Sequence, residues 1–262
     1  MALGQGTIRQ LAELLENAEL SRQPVTKITD DYPELDWEDA YAIQYEIRRR
    51  KEERGIRTAG LKMGLTSQAK MRQMGVTEPV YGFLPATGSY GDGAGIDSAA
   101  FIHPRVEAEV AVMTRAELAG PGCHTGQVLT AVDFVTAAVE IIDSRYENFR
   151  FDLKSVIADN TSAAGFVCGS VLRDAHDLDL PALGVVLEKN GEIVETGAGA
   201  AVLGHPAASV AMLANMLAAR GEVIPAGTFI MTGGITAAVA VGKGDTINVR
   251  YQDLGKVSFR MV

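Results

Sequence analysis

The sequence predicts an α+β fold, with a helical segment over residues 1–56 joined to a β-rich body over residues 57–262. Three observations carry this. Apolar residues recur at helical spacing ahead of Gly55. Beyond it, short β-branched runs alternate with glycine turns. The chain has 262 residues, 47% of them hydrophobic and 22% charged, which is enough for a large buried core and excludes general disorder.

In chain order, Ile8, Leu11, Leu14 and Leu15 mark a first helix. A linker over 21–37 follows, with Pro24 and Pro33. Trp37–Arg54 reads as a second amphipathic helix, with Ala40, Ile43 and Ile47 on one side. Its basic end, Arg48 to Lys51, is expected to be solvated and to complement the helix dipole. Strands are predicted at 58–65, 106–113, 137–142, 165–168, 184–189, 192–198, 228–232 and 246–251. Asn190-Gly191 between two of them predicts a hairpin. Residues 206–220 read as a buried helix, apolar on most sides.

Charge narrows the function. Against 24 Lys+Arg stand 33 Asp+Glu, a net charge of −9, which argues against nucleic-acid and anionic-membrane partners. The apolar stretch over 197–219 is interrupted by Gly204, His205, Pro206 and Asn215, so no membrane span is expected. Cys123 and Cys168 lie far apart and form neither a zinc pattern nor a disulfide framework. The start of the chain shows no secretory pattern, and the cytoplasm is the expected compartment.

The chemistry concentrates on acids. In Val106-Glu107-Ala108-Glu109-Val110-Ala111-Val112 the valines and Ala108 share one strand face, which turns Glu107 and Glu109 together to the other. A solvated outer face would also accommodate them. Glu140 sits in the nearly apolar run 134–142, where an unpaired carboxylate is costly. It should be paired, with Lys62 or Arg145, or protonated, or bound to a cation. Three carboxylates without a Cys/His cluster suit a hard divalent ion, Mg²⁺ or Mn²⁺. Lys62 is a lone cation in a glycine-flanked strand, suited to a substrate carboxylate, to acid–base work, or to a plain strand end. Thr232-Gly233-Gly234 at a strand end offers either backbone N–H groups to an anion or a turn. The four histidines read as turn and loop residues.

An ordered set of segments adds to this: Gly60-Leu61-Lys62-Met63-Gly64-Leu65-Thr66, His103-Pro104-Arg105-Val106-Glu107-Ala108-Glu109, Val139-Glu140-Ile141-Ile142-Asp143-Ser144-Arg145, Ala158-Asp159-Asn160-Thr161-Ser162 and Leu203-Gly204-His205-Pro206. Together they resemble the hydratase/decarboxylase branch of the fumarylacetoacetate hydrolase superfamily, over nearly the whole chain. The resemblance implies a mixed β-rich fold, a homo-oligomer and a Mg²⁺ or Mn²⁺ site. It places the metal carboxylates on Glu107, Glu109 and Glu140, the active-site lysine on Lys62, and substrate contacts on Ser162 and Thr232.

One departure bears on the reaction. Where hydratases of the branch carry an aspartate directly after a proline, this chain has Val80 after Pro79. Valine can neither move protons nor orient water, whereas an apolar residue suits decarboxylation. The resemblance then implies loss of CO₂ from the dicarboxylate 2-oxo acid 2-oxohex-3-enedioate, with Val80 among the substrate contacts. The alternatives are 2-oxopent-4-enoate hydration, with Glu78 substituting for the missing acid, hydrolysis of an acylpyruvate, or a non-catalytic subunit supporting a partner hydratase. A decarboxylase of this type could also associate with that hydratase.

Overall fold

The computed structural model describes residues 3–67, 71–72 and 78–262. Helices α1 (Gln5–Ser21) and α2 (Trp37–Glu53) pack side by side through Ile8, Leu11 and Leu15 on one and Ala40, Ile43 and Ile47 on the other. Leu14, counted in the helical pattern, points outward and is 40% exposed. An Asp36/Asp39 capping box starts α2 by satisfying free N–H groups of its first turn. The basic end of α2 is not simply solvated. Glu16, fully buried on α1, accepts ion pairs from Arg50 at 2.7 Å and Arg54 at 2.5 Å, and Lys51 pairs with Glu19 at 2.6 Å. These charges fasten the two helices together.

The strands are β1 (Thr58–Gly64), β2 (Val80–Pro85), β3 (Ser89–Gly91), β4 (Gly95–Ile96), β5 (Arg105–Thr114), β6 (Val132–Ile142), β7 (Ala163–Arg173), β8 (Gly184–Lys189), β9 (Glu192–Ala198), β10 (Phe229–Met231), β11 (Val239–Ala240), β12 (Thr246–Tyr251) and β13 (Gly255–Met261). One mixed sheet has the order β2-β1-β10-β5-β6-β7-β3, with β11 also on β5; a second has the order β4-β13-β12-β8-β9. The predicted hairpin joins β8 to β9, with Asn190 and Gly191 both at positive φ, as a tight two-residue turn requires.

Among the described residues, shorter helices include α3 (Thr125–Ala131), α4 (Leu153–Ala158) and α5 (Pro206–Ala218). The span Gly199–Ala218 is long and apolar enough to cross a membrane by composition, but half of it is buried inside the fold. Only its last 13 residues form α5, which His205 caps by accepting the Ala207 N–H.

Strand β5 explains the placement of the site. Val106, Ala108, Val110 and Val112 face the main core, which includes Val249, Val257 and Phe259 of the second sheet. Its other face carries Glu107, Glu109 and Ala111 in succession. Ala111 belongs to a small apolar cluster with Ala138, Phe166, Phe229 and Met231. That cluster lies on the acids' face of the sheet, where Ala138 is the register partner of Glu109.

Candidate active site

Glu107 and Glu140 are direct register partners across the antiparallel pair β5/β6. Such partners project to the same face, their Cβ atoms about 5 Å apart. Glu109 lies two residues along the same face. One oxygen from each of the three carboxylates can be chosen so that all lie within 4.8 Å of one another. That spacing matches ligands on opposite sides of a divalent ion held at about 2.0–2.6 Å.

Glu109 and Glu140 are fully buried, while Glu107 is half-buried. Glu109 Oε2 accepts the Gly233 N–H at 2.7 Å. Among the described residues, its Oε1 has no hydrogen-bond donor, nor does either oxygen of Glu140. Lys62 Nζ lies 3.1 Å from Glu140 Oε2, an ion pair without hydrogen-bond alignment. Burial holds the Glu109 carboxyl well above the usual carboxylate range, and the Glu140 charge adds to the effect; Lys62 and the Gly233 N–H oppose it. Burial raises Glu140 as well, against the pull of Lys62. Undonated oxygens on adjacent buried acids are a fit for a hard cation.

The loop after β10 shapes this cluster. Its glycines leave the β5 ladder where the acids stand. A Cβ on Gly234 would lie 2.5 Å from Glu107 Oε2, and one on Gly233, whose φ is 113°, would collide with Thr66. The anion at this strand-end motif is therefore the protein's own Glu109. Thr232, expected at the substrate, is fully buried; its hydroxyl donates to the Val110 carbonyl at 2.8 Å, and its carbonyl accepts from Ser209. It anchors β10 to β5 and does not line the cavity described below.

The opposite wall depends on an unusual turn. Asn160, Thr161 and Ser162 all have φ between 48° and 58°, three consecutive non-glycine residues in the left-handed region. Each costs on the order of 1 kcal/mol or more. The turn is held by Asn160, whose side chain bonds both the N–H and the carbonyl of Phe83 on β2. Behind it, Arg145 pairs with Asp159 and donates to the carbonyls of Asp143 and Ala163. Arg145 is thus structural, and Lys62 is the partner of Glu140. The turn delivers the Thr161 carbonyl to Lys62 Nζ at 3.2 Å. It also leaves the buried Ser162 Oγ without a hydrogen-bond partner among the described residues.

A cavity of about 410 Å³ reaches the acid cluster at Glu107. Lys62, Glu107 and Ser162 line it, as does Val80, which is 1% exposed. Leu65, Ile142 and Val156 extend the apolar wall. Arg105, Phe149 and Phe151 also line the cavity.

A profile of the fumarylacetoacetate (FAA) hydrolase C-terminal family matches residues 57–262. The chain belongs to the fumarylacetoacetate hydrolase family. Its relatives in that family align along nearly the whole chain. A 4-oxalocrotonate decarboxylase of Pseudomonas putida is 63% identical over 99% of this chain and 98% of its own. A 2-oxo-hept-4-ene-1,7-dioate hydratase of Escherichia coli is 39% identical over 96% and 97%. The solved structure of 4-oxalocrotonate decarboxylase from Pseudomonas putida G7, complexed with magnesium and adipate, has a TM-score of 0.98 at 60% identity and 99% coverage of both chains.

Within this fumarylacetoacetate hydrolase fold, Arg105 and Phe149 are among the cavity residues to which the sequence alone assigned no role. Arg105 lies two residues before Glu107 and shares its strand face, a parity signal legible in the sequence. Phe149 sits in an irregular turn, with Asn148 and Phe149 both at positive φ, and left no periodic trace.

Proposed function

We propose that this protein is a carboxy-lyase that converts 2-oxohex-3-enedioate (4-oxalocrotonate) to CO₂ and 2-hydroxypenta-2,4-dienoate, or its tautomer 2-oxopent-4-enoate. The observation that carries the reading is one cavity lined both by Glu107 of the acid cluster and by an apolar wall at Val80. The 63% identity to a 4-oxalocrotonate decarboxylase supports it.

In the reaction the C5–C6 bond breaks and its electron pair forms C4=C5. The conjugated pair moves to C2=C3, and charge collects on the 2-oxo oxygen; one proton, taken up there, gives the 2-hydroxy dienoate, and taken up at C3 gives the 2-oxo tautomer. Glu107, Glu109 and Glu140 would hold Mg²⁺, or Mn²⁺ in its place. When bound, such an ion supplies Lewis-acid stabilisation of developing oxygen charge. Lys62 Nζ, fixed by Glu140 and the Thr161 carbonyl, presents positive charge or a proton to the substrate's oxygens. Ser162 Oγ donates to a substrate oxygen. Val80, Leu65 and Val156 keep water from the departing carboxylate, which lowers the cost of releasing a neutral molecule. The same reading extends to a homo-oligomer and to association with the hydratase that consumes the dienol, which the family resemblance supports, and to a cytoplasmic setting, which the cysteine usage supports.

CO₂ release from 2-oxohex-3-enedioate by chelator-stripped protein, with and without added Mg²⁺, tests the assignment. Metal-dependent CO₂ is expected. Metal-dependent loss of 2-hydroxypenta-2,4-dienoate without CO₂ would show a hydratase instead.

A further inference from the structure

Arg105 is half-buried at the cavity. Its guanidinium lies over the Phe149 ring, 4.4 Å from the centroid, and it forms no ion pair among the described residues. The same ring packs against His103, 4.7 Å between centroids. His103 and Arg105 thus grip Phe149 from positions two apart. A guanidinium stacked on an aromatic face keeps its in-plane N–H fork free for a carboxylate.

Arg105 and Glu107 share one face of β5 and line the cavity together. Val80, on β2, stands near Lys62: its Cγ2 and the Lys62 Nζ both come within 3.6 Å of the position a Cβ on Gly64 would take. The cavity therefore carries two cations, Lys62 near Val80 and Arg105 over Phe149. A guanidinium on the carboxylate that departs would stabilise the ground state and oppose its loss as neutral CO₂. On the carboxylate that stays, it adds binding throughout the reaction.

We infer that Arg105 binds the retained C1 carboxylate of the 2-oxo acid, and that Phe149 is the positioning residue that orients its guanidinium. The inference rests on the decarboxylase reading for which end departs. It reaches further in naming the 2-oxo acid end, shared by substrate and product, as the group recognised.

The test uses Mg²⁺-loaded wild type, R105M, R105K, F149L and the R105M/F149L pair. Calorimetric binding of 2-oxopentanoate, a monocarboxylate bearing only the retained end, is measured beside CO₂ release and Mg²⁺ affinity. R105M should weaken 2-oxopentanoate binding about tenfold or more and raise KM similarly, with kcat changed only a few-fold and Mg²⁺ affinity unchanged. R105K should recover part of the loss, lacking the bidentate fork. F149L should produce a smaller loss that is not added to that of R105M, because both act through one guanidinium. Unchanged 2-oxopentanoate binding in R105M would overturn the inference. So would a loss confined to dicarboxylates, which would place Arg105 on the departing end. If wild type binds 2-oxopentanoate, R105M does not, and neither releases CO₂, the decarboxylase reading fails while the carboxylate assignment stands.

Discussion

Glu107 and Glu140 stand directly opposite one another on β5 and β6, and that register turns two distant acids into one cluster with Glu109. Glu107→Gln and Glu140→Gln should each lose divalent-ion affinity and turnover together, by at least tenfold, because a neutral amide is a poor ligand for a hard cation. Calorimetric Mg²⁺ titration beside the CO₂ assay checks this; unchanged metal affinity would remove either residue from the ligand set.

Metal-free protein should lose stability as pH rises. Burial raises the folded-state pKa of Glu109 and Glu140 above their unfolded values. The folded state therefore binds these protons more tightly, and the stability they contribute is complete below the unfolded pKa and lost as pH climbs through the folded one. Chelated protein should melt at lower temperature as pH increases above the ordinary carboxylate range, and Mg²⁺ should reverse the trend. Glu109→Gln should flatten it. Melting curves across pH, with and without chelator, supply the answer.

Lys62→Met separates charge from metal. Removing a cation 3.1 Å from Glu140 should leave Mg²⁺ binding intact or tighter. Turnover should still fall about 10²-fold, the scale seen when a preorganised donor to developing charge is lost. Loss of metal binding in this variant would mean that Lys62 organises the acids and does not act on substrate.

Gly234→Ala tests close approach. The added methyl would stand 2.5 Å from Glu107 Oε2, so Glu107 must move. Mg²⁺ affinity should fall while the chain remains folded, since the glycine's φ is not positive and alanine is allowed there. Metal titration together with circular dichroism decides it.

Val80→Asp places a carboxylate at a position 1% exposed. Decarboxylation should drop at least tenfold, and stability should fall by about 1–3 kcal/mol, the cost of burying an uncompensated polar group. Val80→Leu should preserve both properties better. Comparable CO₂ release from the Asp variant would show that an apolar wall is not needed.

The sequence by itself determined the acids. Period-two alternation put Glu107 and Glu109 on one face of β5, and the apolar context of Glu140 demanded a compensating charge. The two opening helices, the β8/β9 hairpin and α5 were equally legible, because amphipathic period and turn chemistry are local. Strand β13 also carried a readable alternation, Val257, Phe259 and Met261 inward, that went unassigned. Strand β2 is buried at every position and so alternates nowhere. Helices α3 and α4 span only 7 and 6 residues, too short for a periodic signal.

Only the tertiary structure decided which charges meet. Lys62 and Arg145 were both open as partners for Glu140, until strand pairing brought the lysine to it and the 160–162 turn committed Arg145 to Asp159. Folding likewise turned the Thr232 hydroxyl to a backbone carbonyl and stacked Arg105 on Phe149. Strand parity fixes the face a side chain occupies, but its partner across the cavity depends on sheet order and on the backbone strain of distant turns.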